Sequence, residues 1–197
     1  MFKVAFAVAL ATAVQANSNA SWYAYCEVKE NKKSDSGVSG LLKIYQIGDG
    51  KMNIIGKIGG LNSNQKHGLH IHEEQVKPNG DCATTGKHFN PMGSMTHGAP
   101  YDSTDMRHVG DMANLAADEN GVAVYRHNDY MASLDPESGC YVGNLSFTVH
   151  ANQDDYGNAG TASSTAGGSS GARLACCNIM EVSFDEWAAL EASSYLP

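Results

Sequence analysis

Residues 40–58 read GLLKIYQIGDGKMNIIGKI, in which Gly48-Asp49-Gly50 separates two short runs of apolar and alternating residues. Alternation with a period of two is typical of a half-buried strand, and a glycine-rich turn between two such runs is typical of an antiparallel hairpin. The same combination continues along the chain, and no spacing typical of βαβ units is present. The sequence therefore predicts an antiparallel sandwich or barrel.

About eight segments carry this strand pattern, namely residues 22–28, 40–47, 52–58, 69–73, 111–117, 121–125, 141–150 and 173–180. Two connections, residues 74–108 and 151–172, are much longer than the others, and such loops are usually functional or disordered. The second half of the later loop resembles a flexible linker in composition. We nevertheless expect one domain, because the strand after this loop is too short to stand alone.

The chain has 197 residues, of which 42% are hydrophobic and 17% are charged. These proportions suit one globular domain, since a disordered chain has fewer apolar residues and more charge. The formal net charge of −8 argues against a nucleic-acid-binding protein, because neutralising phosphates requires clustered Lys and Arg.

The chain begins with MFKVAFAVALATAVQA, which has one positive charge at Lys3, an apolar run and small residues leading to Ala16. This pattern is typical of a secretory signal peptide, and the apolar run is too short to cross a bilayer. We expect cleavage of residues 1–16, a secreted extracellular protein without a membrane segment, a main domain over residues 17–182 and a C-terminal extension over residues 183–197. Asn19 and Asn144 stand in Asn-x-Ser sequons and are candidate glycosylation sites.

The C-terminal extension differs from the rest of the chain. Ser183-Phe-Asp-Glu186 is a capping-box pattern, and the apolar spacing that follows it predicts a helix of two to three turns. We expect this helix to cover part of the sheet.

Five cysteines are present, at positions 26, 82, 140, 176 and 177. None forms the C-x-x-C spacing of a structural zinc site. In a secreted protein, cysteines that lie close in space form disulfides, and an odd number leaves one over. The spacing alone does not select the pairs.

Six of the eight histidines lie in residues 67–108. His70 and His72 alternate on a predicted strand, so both imidazoles project from one face about 7 Å apart. Histidine is the commonest metal ligand, and the loop that follows is long enough to bring further histidines over that face. The sequence therefore predicts a metal site there.

Six motifs, taken together, resemble those of secreted copper/zinc superoxide dismutases. They are His67-Gly-Leu-His-Ile-His-Glu73, Gly86-Lys-His-Phe-Asn-Pro91, His97-Gly-Ala-Pro100, Arg107-His-Val-Gly-Asp111, Val149-His-Ala-Asn-Gln-Asp-Asp-Tyr-Gly157 and Gly171-Ala-Arg-Leu-Ala-Cys176. They stand in the family's order and span roughly residues 22–180. The resemblance implies an all-β fold, an eight-stranded antiparallel Greek-key barrel or sandwich with two long functional loops, here followed by the short C-terminal helix.

The resemblance also implies two metal ions. Copper would be bound by His70, His72, His88 and His150, and zinc by His88, His97, His108 and Asp111. His88 would bridge the two ions as an imidazolate. Asp154 would accept hydrogen bonds from His70 and His97 and so orient both rings, whereas His67 is expected to be a buried structural histidine.

For the reaction, the resemblance implies that copper is alternately reduced and reoxidised, so that superoxide becomes oxygen and hydrogen peroxide. Arg173 would guide the superoxide anion, and His88 would shuttle a proton as it leaves and rejoins copper. Cys82 and Cys176 would form the disulfide that holds Arg173 in position. The first and last strands are neighbours in the family, so we hypothesise a second disulfide between Cys26 and Cys177.

Two departures from the family pattern stand out. Residues 158–172 contain no ionisable side chain, whereas this loop is usually charged, so electrostatic steering should be weaker. The glycine-rich apolar C-terminus that contributes to the family's dimer contact is replaced by other residues, which leaves the homodimer open. The alternative functions are a secreted copper- and zinc-binding protein without turnover and an inactive cell-surface module. The complete ligand set, with Asp154 and Arg173 in register, disfavours both.

Overall fold

A computed structural model describes residues 20–48 and 50–191 of the chain. These residues form ten strands: β1 Ala20–Glu30, β2 Ser39–Ile47, β3 Met52–Gly59, β4 Lys66–His67, β5 Leu69–His72, β6 Leu115–Ala116, β7 Ala123–Asp129, β8 Ser146–His150, β9 Arg173–Asn178 and β10 Met180–Val182. They also form two short helices, α1 Ala162–Gly167 and α2 Phe184–Ala189, and a 3-10 turn at Cys82–Thr85. The predicted signal peptide, the sequon at Asn19 and residues 192–197 of the extension lie outside the described residues.

Eight of these strands form one curled antiparallel sheet. Seven follow one another in the order β5-β8-β9-β1-β2-β3-β7, and β10 pairs with β1, while β4 and β6 form a separate two-stranded ladder. Three consecutive strands, β1 to β3, are neighbours, and β9 returns from the other end of the chain to lie beside β1. This arrangement confirms the predicted all-β antiparallel fold with Greek-key connections.

The hairpin predicted over residues 40–58 is present as β2 and β3. Ile44 pairs with Ile54 across it, and both side chains are fully buried. Leu42 pairs with Gly56, where a Cβ atom would stand 2.2 Å from the carbonyl oxygen of Leu41, so this strand pair requires a residue without a side chain. Burying an Ile or Leu side chain stabilises a fold by about 1.5–3 kcal/mol, which explains why the apolar positions fix the register.

The sheet curls around a core that continues beneath the long loops. The fully buried side chains include Leu69 and Ile71 on β5 and Phe147 on β8. Val109 and Met112, from the end of the first long loop, belong to the same cluster. The loop is therefore packed onto the barrel and does not hang free of it.

Several strand predictions differ from the structure in their limits. Of the predicted strand 111–117, only Leu115–Ala116 is a strand, because residues 108–111 form a turn closed by the hydrogen bond from the Asp111 amide to the His108 carbonyl. The predicted strand 173–180 breaks at Ile179, whose amide donates to the Leu145 carbonyl, so that β10 can pair with β1.

Asn144 does not lie within a strand as predicted. Strand β8 begins at Ser146, and Asn144 occupies an exposed turn before it. The prediction was wrong because the run of apolar residues from 141 onward includes a turn, in which the Leu145 amide donates to the Val142 carbonyl.

The loop 151–172 is partly helical, which its linker-like composition does not suggest. Helix α1 begins after Thr161, whose side chain accepts from the Ser164 amide, and ends at Gly168, which has a left-handed φ of 64°. A cap that accepts at the N-terminus and a glycine that closes the C-terminus are the two features that stop a short helix from fraying.

The C-terminal helix α2 covers the outer surface of β1 and β2. It begins with the predicted capping box between Ser183 and Glu186, although the helix ends at Ala189 and is shorter than the two to three turns expected. Trp187 packs against Tyr23 and Tyr45, with ring centroids 5.4 and 5.5 Å apart, and the Lys43 ammonium lies 4.0 Å from its ring centre. Within the described ranges, the helices are too short or too polar to cross a membrane.

Two disulfides attach strand β9 to its surroundings. Cys82 is bonded to Cys176, and Cys26 is bonded to Cys177, while Cys140 is free and half-buried. The structure thus contains both pairs that the sequence suggested. Consecutive residues of β9 point to opposite faces, so one disulfide ties β9 to the first long loop and the other ties it to β1.

Candidate metal centre

The strands and the first long loop bring the predicted metal ligands to one end of the sheet. His70 and His72 lie on β5, and His150 is the last residue of the neighbouring β8. The loop then returns twice, because His88 forms an isolated β-bridge with His72 and Asp111 forms one with His70. These two bridges explain why residues distant in sequence converge on the same face.

The first donor set consists of four histidines, His70, His72, His88 and His150, and we call it the four-histidine set. One ring nitrogen from each lies within 4.8 Å of the others. In three of the rings the second nitrogen donates a hydrogen bond to an oxygen. His70 Nε2 donates to Asp154 (2.8 Å), His72 Nδ1 to the Gly86 carbonyl (3.0 Å) and His150 Nδ1 to the Gly171 carbonyl (3.2 Å). These partners fix each tautomer and leave the inner nitrogen free to bind a metal.

The second donor set consists of His88, His97, His108 and Asp111, and we call it the Asp111 set. The Nδ1 atoms of its three histidines lie 2.8, 2.9 and 3.1 Å from Oδ1 of Asp111. The other carboxylate oxygen accepts from the backbone amides of His108 (2.8 Å) and Gly98 (3.1 Å). One oxygen is therefore held by the backbone while the other faces the three rings.

His88 belongs to both sets. Its Nδ1 faces Asp111, so Nε2 is the nitrogen left for the four-histidine set. A single imidazole between two sets of donors is the arrangement that a bridging ligand requires.

Asp154 links the two sets from behind and is completely buried. Its carboxylate accepts from Nε2 of His70 and from Nε2 of His97, both at 2.8 Å. Although these three residues also come close enough to hold an ion, the hydrogen bonds orient the two rings so that their Nδ1 atoms face the donor sets. Asp154 therefore acts as a support for metal ligands.

Burial controls the charge of the four-histidine set. It lowers the pKa of His70 and His72 well below the ordinary value, lowers that of His88, and brings that of His150 to about 3. The other imidazoles of the cluster lower the pKa values of His70, His72 and His150 further, because neighbouring positive charges repel. Four neutral imidazoles at neutral pH are ready to bind a metal without first releasing a proton.

The Asp111 set is different because it contains carboxylate. Burial lowers the pKa of His97, but hydrogen bonds and charge interactions with Asp111 and Asp154 outweigh it and raise that pKa to about 9. Burial would raise the pKa of Asp111, yet its contacts with His108, His88 and His97 hold the pKa well below the ordinary value. The set therefore carries a carboxylate that suits a divalent cation.

The two donor sets fit copper and zinc. The Nδ1 atom of His70 is buried and has no hydrogen-bond partner among the described residues. Orphaned ring nitrogens of this kind are costly unless something binds them. Imidazoles alone suit copper, and three imidazoles with a carboxylate suit zinc.

Arg173 stands at the mouth of the four-histidine set. It pairs with His150 across β8 and β9 and is half-buried. Its Nη1 donates to the Cys82 carbonyl (2.7 Å) and to Thr85 Oγ1 (2.8 Å), and its Nη2 donates to the Gly86 carbonyl (2.6 Å). Because Cys82 is disulfide-bonded to β9, the guanidinium is held from both sides.

An open cleft of about 670 Å³ leads to this group. Its lining includes His72, His88, His150, Arg173, Glu73, Lys87 and part of α1. Three members of the four-histidine set, His72, His88 and His150, are thus reached from solvent past one guanidinium.

His67 contacts the site only through the backbone. It is fully buried, and its Nδ1 lies 2.9 Å from the carbonyl oxygen of His150. It belongs to neither donor set and supports the segment that carries His150.

Three supporting residues were missed by sequence reasoning. Asn114 holds the Asp154 backbone through both its amide nitrogen (3.0 Å) and its amide oxygen (2.8 Å). Asn31 similarly bridges the Cys82 amide and the Arg173 carbonyl. At Gly168, a Cβ atom would stand 1.7 Å from Asp154 Oδ1. A lone asparagine or glycine carries no recognisable spacing, so the sequence offered no signal for them.

Comparison with known proteins agrees with this geometry. Residues 38–179 match the family described as copper/zinc superoxide dismutase (SODC). The superoxide dismutase (Cu-Zn) of Saccharomyces cerevisiae is 42% identical over 146 residues, covering 73% of this chain and 90% of that protein. Those of Paramecium bursaria Chlorella virus 1 and Ramazzottius varieornatus are each 40% identical, over 66% and 72% of this chain and 66% and 71% of theirs. With a family match over most of its length and relatives of this similarity, the chain belongs to the copper/zinc superoxide dismutase family.

Proposed function

We propose that this superoxide dismutase works outside the cell, with copper in the four-histidine set and zinc in the Asp111 set. The observation that carries the assignment of the metals is the shared ring of His88, which has one nitrogen at Asp111 and the other left for the remaining histidines. The Asp111 set contains the only carboxylate among the two groups of ligands, and this carboxylate favours zinc there.

The chemistry supplied by the bound metals is one-electron transfer to and from superoxide at copper, with zinc adding a fixed positive charge. The protein has to bind a small anion, orient it and provide protons. No side chain needs to act as a nucleophile.

Arg173 is placed to bind the anion. A guanidinium has five N–H groups, and three are donated to Cys82, Thr85 and Gly86. The Nε–H and the second Nη2–H have no partner among the described residues and remain available to a small anion. Superoxide, with two oxygens and one negative charge, can accept from them.

His88 is placed to carry a proton. Its Nδ1 stays 2.8 Å from Asp111, whereas Nε2 belongs to the side of the ring that lines the cleft. A proton held at Nε2 can be passed to a reduced oxygen species bound at Arg173. The product, hydrogen peroxide, needs two protons, of which the solvent-accessible cleft supplies the second.

The extracellular location is supported by two features of the chain. Residues 1–16 have the charge, apolar run and small residues of a signal peptide. The two disulfides, Cys26–Cys177 and Cys82–Cys176, are of the kind that persists in an oxidising compartment. We expect the protein from the medium to begin at Asn17, which N-terminal sequencing would determine. Retention of the full chain inside cells would contradict the proposal.

The assignment of the metals is tested by metal analysis together with a superoxide-decay assay. We expect one copper and one zinc per chain, and in His150→Ala loss of copper and activity with zinc retained. His127→Ala is the matched control, because His127 lies on β7 outside both donor sets and its removal should leave both metals bound. Two bound metals without turnover would instead favour a secreted metal-binding protein.

A further inference from the structure

A buried hydroxyl group lies directly behind Arg173. Thr85 is the last residue of the 3-10 turn Cys82–Thr85, and its side chain is fully buried. Its Oγ1 accepts a hydrogen bond from Nη1 of Arg173 at 2.8 Å. Arg173 belongs to the lining of the cleft, whereas Thr85 does not. An anion in the cleft therefore meets the guanidinium first, and any effect of Thr85 on the reaction has to pass through it.

The hydroxyl of Thr85 has a partner for its proton and for both of its lone pairs. A threonine hydroxyl donates one hydrogen bond and can accept two. The proton goes to the Cys82 carbonyl at 2.9 Å, and one lone pair accepts from Arg173. The other lone pair faces Thr148, whose Oγ1 lies 3.4 Å away. Because the proton of Thr85 is already donated, Thr148 is the donor in this contact.

Thr148 connects this hydroxyl to the sheet. It lies on β8, where its backbone pairs with His70 on β5 and with Cys176 on β9, and its side chain is fully buried. Among the described residues, the hydrogen-bond partner of its hydroxyl is Thr85. Buried hydroxyl groups are costly unless they are hydrogen-bonded. Each hydroxyl therefore holds the other in place, and the pair links a central strand to the guanidinium.

Without the oxygen of Thr85, one N–H group of Arg173 would lose its partner. Nη1 carries two protons, of which one is donated to the Cys82 carbonyl and the other to Thr85. An unpaired N–H away from water costs more than its hydrogen bond contributes. Since Arg173 is half-buried and lines the cleft, we expect its guanidinium to turn until this N–H reaches water. That turn would displace the N–H groups that are proposed to bind superoxide.

We infer that Thr85, supported by Thr148, is a positioning residue that fixes the rotation of the Arg173 guanidinium. The carbonyls of Cys82 and Gly86 hold Nη1 and Nη2. Two contacts leave a planar group able to swing about the line that joins them, and the third contact, from Thr85, stops this movement. The inference rests on the proposed function for the role of Arg173, and it adds the residue that keeps Arg173 in place.

The test compares Thr85→Val with Thr85→Ser, both loaded with copper and zinc and checked for metal content. Valine has nearly the shape of threonine but no hydroxyl, whereas serine keeps the hydroxyl. Thr84→Val is the matched control, because Thr84 lies in the same turn. Its Oγ1 bonds to the Lys77 amide (3.1 Å) and to the Asp81 carbonyl (2.7 Å). These bonds stay within the loop and do not involve Arg173.

Two measurements are made on each variant. The first is the second-order rate constant of superoxide decay. The second does not depend on turnover, because it records the ¹⁵N–¹H spectrum of the guanidinium groups in protein loaded with zinc and diamagnetic copper(I). Separate signals for Nη1 and Nη2 of Arg173 show that its rotation is restricted. Arg107 serves as the internal reference, since it is buried and bonded to other partners.

In Thr85→Val we expect the Nη1 and Nη2 signals of Arg173 to merge and the rate constant to fall about tenfold, which is the scale of a hydrogen bond to a charged group. Thr85→Ser and Thr84→Val should keep separate signals and a rate constant within about twofold of the parent. Thr148→Val is the second variant if Thr85→Val does not load its metals. It should change both measurements in the same direction but less, because its contact of 3.4 Å is the longest of the set.

Separate Arg173 signals in Thr85→Val would overturn the inference, and so would a fall in rate that Thr84→Val or Thr85→Ser shares. Merged signals with an unchanged rate would also overturn it, because the rotation of the guanidinium would then not matter. The spectrum separates this inference from the proposed function. A parent protein that holds both metals and does not dismutate superoxide, yet whose Arg173 signals depend on the Thr85 hydroxyl, would refute the proposed function and support the positioning by Thr85.

Discussion

Gly168 is the position at which a single methyl group should disturb both metal sites. It closes α1 with a φ of 64°, and its added Cβ would stand 1.7 Å from Asp154 Oδ1 and 2.7 Å from His97 Nε2. Neither distance can be tolerated, so in Gly168→Ala the carboxylate of Asp154 or the end of α1 has to move. Both movements break the contact that orients His70 and His97.

The magnitude has two parts. A residue with a Cβ in the left-handed conformation costs about 1–2 kcal/mol, and each hydrogen bond from a ring to the Asp154 carboxylate contributes about 1.5–3 kcal/mol. Losing one of them as well as straining the backbone gives roughly 2.5–5 kcal/mol of lost stability. Removing the support of a metal ligand lowers metal affinity about 10- to 100-fold.

Gly160→Ala separates the backbone strain from the lost hydrogen bond to Asp154, because Gly160 has a similar φ of 67° and nothing within 4 Å of its added Cβ. The measurements are zinc affinity by competition with a chelator and the urea midpoint of each metal-loaded variant. We expect Gly160→Ala to lose only the backbone contribution and to bind zinc as the parent does. If Gly168→Ala binds zinc as tightly as Gly160→Ala, then the absence of a side chain at Gly168 is not what allows Asp154 to orient His70 and His97, and the reasoning is refuted.

Three further predictions concern the charge and the covalent links of the molecule. The rate of superoxide decay should fall less steeply with ionic strength than in relatives with a charged loop, because residues 158–172 carry no ionisable side chain; stopped-flow rates across a salt series would contradict this by showing a steep decline. Burial lowers the pKa of His97, but its carboxylate partners raise it to about 9, so zinc has to displace a proton at pH 7. The zinc affinity of the metal-free protein should therefore rise about tenfold per pH unit between pH 7 and 9. Chelator competition over this range measures it, and a flat profile would show that His97 is already neutral. Replacing Cys26 and Cys177 together with alanine should lower stability by about 2–5 kcal/mol in urea unfolding, and an unchanged midpoint would show that this disulfide does not constrain the unfolded chain.

The parts of the fold that the sequence predicted are those decided by local alternation. In β2 and β3 the side chains that enter the core cluster stand two or four residues apart, at positions 42 and 44 and at positions 52, 54 and 58, so the pattern determines both the strands and their pairing. The pattern failed at residues 111–117, where Asp111 carries a carboxylate whose oxygens are held by backbone amides in a turn. Where the backbone forms a turn that holds a ligand, the alternation of apolar residues no longer predicts a strand.

The site was predictable as far as the types of residue alone indicate its chemistry. Histidines are rare enough for their clustering to indicate a metal, and the family resemblance then sorted them into two sets. The role of Gly168 could not be predicted in this way. What it contributes is the absence of an atom beside Asp154, and that neighbour is known only once the loop has folded.

Helix α1 shows the same limit for secondary structure. Its six residues, ASSTAG, include no long apolar side chain, and their composition is that of a linker. The helix forms because Thr161 and Gly168 cap it and because Asp155 and His97 hydrogen-bond to it. His97 belongs to the metal centre and Asp155 directly follows Asp154, so the helix depends on the folded site for its place.

The surface charge and the charge at the site act over different distances, and this difference decides how the anion is selected. The chain as a whole is acidic, with a formal net charge of −8, and interactions beyond about 8 Å are largely screened at physiological ionic strength. Lys87 and Arg173 line the cleft together with Glu73, while the α1 wall adds no charge. Attraction from afar is therefore weak, and selection has to occur within the cleft. In the proposed function it rests on the two N–H groups of Arg173 that have no partner among the described residues, because these donors act at contact distance and are not screened as the distant surface charges are.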